Sequence, residues 1–128
     1  LTKNKDEILL NCDKEQLTRV FINLIKNSIE SIEEKSKKVT NFEKKISIEI
    51  SQISDHIKIV LLDNGLGFNK IKGKIKDILN PYFTTKKNGT GLGLSIVNKI
   101  ISDHNGELNL FQIKDGAKIE IIFKINVD

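Results

Sequence analysis

The sequence predicts an α+β two-layer sandwich: a mixed, mostly antiparallel five-stranded sheet with helices on one face. Three observations lead there. One long segment, Leu17 to Ile32, carries apolar residues at helical spacing. Two pairs of segments, 46–53 with 57–62 and 107–113 with 117–125, read as strands joined by short turns. The helical and strand patterns follow one another in an order that places helices over a sheet rather than in alternating βαβ units.

Taken in order, Ile8, Leu9 and Leu10 form a short apolar stretch that reads as a first strand. Asp13 then offers an N-cap. Leu17, Val20, Phe21, Leu24, Ile25, Ser28, Ile29 and Ile32 make one buried face of a helix reaching about Lys35. "ISIEISQI" alternates with period two, and "IKIVLL" follows a turn at Ser54 and Asp55, giving a hairpin. From Asp63 to Gly89 there is little periodicity beyond a possible short helix at Ile75 to Leu79, stopped before Pro81. A loop of that length in a compact domain is usually functional. "LGLSIVNKIISDH" resumes helical spacing, Asn105 and Gly106 end it, and the last two strands turn at Asp115 and Gly116.

At 128 residues the chain suits a single domain, 1–128, with one core. No apolar run approaches the roughly 18 residues of a membrane span. Cys12 is the only cysteine, which excludes a disulfide framework and fits a reducing, cytoplasmic setting. The chain opens at Leu1 and has no methionine, so a fragment of a longer protein is expected. The net charge of +4 is concentrated between Asn69 and Lys87, where Lys70, Lys72, Lys74, Lys76, Lys86 and Lys87 face only Asp77. That segment is either a solvated lysine loop or a site for an acidic ligand. Nucleic acid is not expected, because one tyrosine and no tryptophan offer little for base stacking.

Arg19, Asn23 and Asn27 follow one another at i+4 spacing beside the apolar stripe. Asparagine is a poor helix former, so two in mid-helix are either an exposed polar flank or a functional pair, one amide oxygen serving as a neutral ligand to Mg²⁺. Asp63 ends an apolar strand at the rim of the core. Asn64-Gly65 beyond it reads equally as a hairpin turn or as the start of a ligand contact for which Asp63 accepts from an exocyclic amine. In "NPYFTTKKNGTGLGLSIV", residues 80–97, Gly89, Gly91 and Gly93 open a helix. The order of residues fits neither the Walker loop nor the dinucleotide fingerprint. Free N–H groups at a helix start, with lysines nearby, still suit a phosphate.

These segments together resemble the catalytic ATP-binding domain of sensor histidine kinases, within the superfamily that includes gyrase, the Hsp90 chaperones and MutL. "NLIKN" is similar to the N box, "DNGLGF" to the first glycine box, "PYFTTK" to the F box and "GTGLGL" to the second glycine box, all in the family's order. The likeness covers about residues 6–126, and the run from Pro81 to Val97 is most similar to kinases of the nitrogen-regulation type. The resemblance implies a Bergerat-type ATP-binding fold, ATP and Mg²⁺ as cofactors, and transfer of the γ-phosphate to a histidine in two-component signalling.

By that resemblance, Asn23, Asn27 and Lys86 are the catalytic residues and Asn27 is the Mg²⁺ ligand. Asp63 would bond the adenine amino group, with Gly65 and Gly67 passing close to the base. Residues 69–89 would form a lid anchored by Phe83, with Lys86 or Lys87 near the phosphates and Thr84 and Thr85 also in the nucleotide site. Gly89, Thr90, Gly91, Leu92, Gly93 and Leu94 would complete the nucleotide site. Hydrolysing members of the superfamily place a water-activating glutamate four residues before the metal-binding asparagine; Asn23 stands there and cannot act as a base. That favours kinase over ATPase. Ser28, where alanine is frequent, Asn105, where glycine is frequent, and the acidic Glu30 and Glu34 depart from the pattern.

His104 reads as a helix C-terminal residue on the dipole and His56 as an exposed turn residue, so the phosphoacceptor is expected on an adjoining domain of the same protein. A response regulator is the implied downstream partner. The fragment is expected to be a monomer and the parent a homodimer, held to the inner membrane only through parts outside this sequence. An anti-sigma-type serine kinase and a degenerate nucleotide-binding module are the alternatives.

Overall fold

The computed structural model describes residues 2–3, 8–68 and 93–125, with side chains described for 8–68 and 93–125. Its elements are β1 (Thr2–Lys3), α1 (Lys14–Ser36), β2 (Ile46–Ile53), β3 (His56–Asp63), α2 (Gly93–Asp103), β4 (Gly106–Ile113) and β5 (Gly116–Lys124). The sheet order is β1-β2-β3-β5-β4. The β2–β3, β3–β5 and β4–β5 pairs are antiparallel, and the two-residue β1 runs parallel to β2. The sheet is therefore mixed and mostly antiparallel, carried by its four long strands.

Helix α1 starts where Asp13 caps it: the Asp13 Oδ1 accepts from the Gln16 N–H at 3.1 Å. Leu17, Val20, Leu24, Ser28 and Ile32 are its buried face, at the spacing the sequence predicts. Phe21 and Ile25 lie half-buried beside that face, whereas Ile29, expected inside, is exposed. Ile29 lies about 100° around the helix from Ser28, outside the stripe that is buried.

In β3 the burial alternates strictly, with Ile57, Ile59 and Leu61 turned to the helices. Register places Ile59 between Ile50 and Ile121, and Leu61 between Ile48 and Ile119, so successive rows of branched side chains cross the sheet. Val97, Ile100 and Ile101 of α2 and Leu17, Val20 and Leu24 of α1 close over these rows as one core.

Ile8 to Leu10 is not a strand. Ile8 and Leu10 pack against the core from irregular chain, Leu9 is exposed, and the ladder on the β2 edge is made by Thr2 and Lys3. Two of the three apolar side chains supply burial here without forming a strand. Both hairpins lie where expected. Ser54 takes φ 56° in the first turn, Lys114 and Asp115 form the second, and β5 already begins at Gly116. Asn105 ends α2 at φ 58°, a left-handed conformation in which asparagine stands in for glycine. The expected helix at 75–79 and the lid at 69–89 lie outside the described residues. Among the described residues no helix is long and apolar enough to cross a membrane.

Candidate active site

Asp63 inherits its direction from β3. It has the same parity as Ile57, Ile59 and Leu61, so its carboxylate points to the helical side at the end of the core. Opposite it in β5 stands Ala117, a side chain too small to fill the space. The residue is only 6% exposed, and an unpartnered carboxylate at that depth would be costly. It is partnered at both oxygens. Ser28 Oγ, on the buried face of α1, donates to Oδ2 at 2.8 Å, and the Gly65 N–H donates to Oδ1 at 2.9 Å. Each carboxylate oxygen keeps capacity for a further donor.

The chain then turns under α1. Ser31 Oγ accepts from the Leu66 N–H at 2.8 Å, and Lys35 Nζ donates to the carbonyls of Gly65 and Asp115, each at 3.2 Å. Ser28, Ser31 and Lys35 sit at i, i+3 and i+7, so one line along the helix holds the turn. A Cβ on Gly65 would collide with the side chain and backbone of Ser31, which is why the backbone can approach α1 only as glycine. Gly67 has φ +69° and packs against the Gly116 carbonyl. Gln112 ties the next residue to the second hairpin: Oε1 accepts from the Phe68 N–H, and Nε2 donates to the Gly116 and Ile113 carbonyls.

Asn64 faces the other way. Its Nδ2 donates to the Glu43 carbonyl at 2.7 Å and its Oδ1 accepts from the Lys45 N–H at 2.9 Å, bracing the chain before β2. The alternative reading of Asn64-Gly65 as a hairpin is thereby set aside, because both sides of β3 are already paired, by β2 and β5.

Asn23 and Asn27 are half-buried one turn apart on α1, with Asn27 next in sequence to the serine that holds Asp63. Helix α2 runs antiparallel to α1. Its last-turn neighbour His104 meets Asp13 at the start of α1, and Ile96, Lys99, Ile100 and Asp103 share a groove with Gln16 and Arg19. Among the described residues a Cβ on Gly93 would meet nothing within 4 Å; Leu94 beside it is half-buried. The remaining expected site residues, Phe83, Thr84, Thr85, Lys86, Lys87, Gly89, Thr90, Gly91 and Leu92, lie outside the described residues.

The described donors suit a nucleotide and a hard cation. A buried acceptor stands beside a glycine turn, and an amide-bearing helix flank is adjacent. Among the described residues no three His, Cys, Asp or Glu side chains cluster. Ser31, Lys35 and Gln112 were not foreseen from sequence. The two helix residues share the face of Ser28 and could have been found from that spacing, but Gln112 becomes visible only through the register that sets it opposite Ala117.

Comparison with known proteins agrees with this arrangement. Residues 12–127 match the family of histidine kinase-, DNA gyrase B-, and HSP90-like ATPases. Sporulation kinase C of Bacillus subtilis (strain 168) is 32% identical over 127 residues, 98% of this chain and 27% of that protein. An NtrY-like sensor histidine kinase of Rickettsia felis is 36% identical over 124 residues, 95% of this chain and 19% of its own length. The chain thus spans about a quarter or less of these relatives. The nucleotide-free catalytic domain of the histidine kinase ThkA superposes with a TM-score of 0.76 at 28% identity, covering 95% of this chain and 74% of that one. ThkA in complex with the response regulator protein TrrA gives 0.72 at 22% identity, over 98% of this chain and 33% of that one, and shows likeness of fold alone. With a family match over nearly its whole length and a fold that superposes on a kinase catalytic domain, the chain belongs to the histidine kinase-, DNA gyrase B- and HSP90-like ATPase family.

Proposed function

We propose that this domain binds Mg-ATP for a protein-histidine kinase of a two-component system. When bound, ATP supplies the γ-phosphoryl group for a histidine on an adjoining dimerisation domain of the same protein. The observation that carries the reading is the Asp63 carboxylate, 6% exposed, held as an acceptor on both oxygens at the end of the core. Such a group recognises a ligand that donates, as the exocyclic amine of adenine does. Gly65 and Gly67 keep the wall beside it free of side chains.

Asn27 is assigned to the cation through its amide oxygen, and Gly93 offers backbone at the start of α2. Lys86 is assigned to the phosphates. Asn23 stands where a water-activating base would waste ATP, and an amide takes up no proton from water. An imidazole acceptor brings its own lone pair, so positioning and charge neutralisation suffice on this side of the reaction. The response regulator as the next acceptor, a homodimeric parent and an anchor in the inner membrane belong to the same proposal; the sensor kinases among the relatives support it.

Calorimetric titration of ATP with and without Mg²⁺, on the chain and on Asn27→Ala and Asp63→Ala, tests the assignment. Metal-dependent binding that falls in both variants is expected. Undiminished binding in both would move the site elsewhere.

A further inference from the structure

We infer that Ser28 is a positioning residue for nucleobase recognition, fixing the plane of the Asp63 carboxylate so that it favours a purine bearing an exocyclic amine. The inference rests on the proposed role of Asp63 and deepens it. A serine inside a helix ordinarily spends its hydroxyl on a carbonyl of the preceding turn. Two hydroxyls of α1 do so: Thr18 Oγ1 donates to the Lys14 carbonyl at 2.7 Å, and Ser36 Oγ donates to the Glu33 carbonyl at 2.7 Å. Ser28 does not. Its hydroxyl, on a residue 2% exposed, donates across 35 positions of sequence to Asp63 Oδ2 at 2.8 Å.

The geometry gives that bond a task. The Gly65 N–H anchors Oδ1, and one anchored oxygen still lets the carboxylate swing about its Cβ–Cγ bond. A donor on Oδ2 from the opposite side, mounted on a helix, removes that freedom. An incoming amine then meets an acceptor already oriented, and the cost of ordering it is spared. At 2% exposure Ser28 is too deep to be offered to a ligand, so it acts through Asp63. A ligand that donates nothing to Asp63 is indifferent to Ser28.

The test compares ATP with purine riboside triphosphate, which carries hydrogen in place of the amine. Both are titrated with Mg²⁺ into the chain, Ser28→Ala, Asp63→Asn and the double variant, with urea unfolding run on each so that titrations are made where it is folded. Ser28→Ala is expected to weaken ATP on the order of tenfold, the scale of one hydrogen bond to a charged group, and to leave the purine analogue within about twofold. It should add little in the Asp63→Asn background, and Ser28→Thr, which keeps the hydroxyl, should restore the preference for ATP. Equal weakening of both nucleotides, or none of either while Asp63→Asn still weakens ATP, would overturn the role of Ser28 alone. No effect of Asp63→Asn on ATP, or no ATP binding by the parent chain, would overturn the proposed function and this inference with it.

Discussion

The imidazole of His104, just past the end of α2, accepts a hydrogen bond at Nε2 from the backbone N–H of Asp13 at 3.0 Å, while its Nδ1 lies 2.8 Å from the Ile100 carbonyl. With Nε2 accepting, Nδ1 carries the proton and donates to that carbonyl. One ring thus joins the start of α1 to the end of α2, and the helix C-terminal role expected for this histidine acquires a second, interhelical contact.

His104→Ala is therefore expected to cost about 0.5–1.5 kcal/mol, measured as a shift of the urea midpoint with an unchanged slope. Asp13→Ala should cost about 1 kcal/mol more by loss of the cap. The two losses are expected to add, because the ring uses the backbone of Asp13 and the cap uses its side chain.

Gly65 and Gly93 separate space from chemistry. Gly65→Ala drives a methyl group onto Ser31 and is expected to destabilise by about 1–3 kcal/mol. Gly93→Ala meets no neighbour among the described residues and should stabilise the helix by up to about 1 kcal/mol. Under the proposed function the same change weakens Mg-ATP, so thermal denaturation and titration should move in opposite directions at Gly93.

Lys35 links the glycine turn to the second hairpin, with Phe42 5.3 Å from its ammonium group. Lys35→Met keeps much of the packing and removes both bonds to carbonyls. Hydrogen exchange should quicken at Leu66 and around Asp115 together, leaving the amides of Ile57 to Leu61 unchanged. Acceleration at only one of the two places would show that they are not coupled through this side chain.

Gln112→Leu leaves the Phe68 N–H and the Gly116 carbonyl without their side-chain partner. A loss of about 1–3 kcal/mol is expected where such groups stay shielded from water, read by urea unfolding.

Much of this was legible because two periods suffice for it. The helical spacing from Leu17 to Ile32 identified the face of α1, and alternation in 57–62 identified the strand that delivers Asp63. The position of Asp63 at the strand end, with Asn27 on the helix, could be read without coordinates. Period says nothing, however, about which backbone pairs with which. Ile8 to Leu10 read as a strand but are irregular chain, half-buried at Ile8 and Leu10 and exposed at Leu9, while Thr2 and Lys3, with no apolar signature, take the place on the sheet edge. The supports of the site were hidden for the same reason. Gln112 reaches Phe68 through a register spanning two strands, and nothing local to either residue announces it. Ser28 stood out only as a departure from alanine until its partner was seen.

The alternation that buries Ile57, Ile59 and Leu61 also aims Asp63, so core and recognition are written in one reading frame. Inserting or deleting a single residue between Ile57 and Asp63 would keep a hydrophobic segment but send the carboxylate to the far side of the sheet. The same edit at Ser54 and Asp55, ahead of the strand, spares that frame. Length changes in a lineage of such domains should therefore gather in the first hairpin turn and be absent from β3, whatever nucleotide contacts those domains otherwise lose or gain.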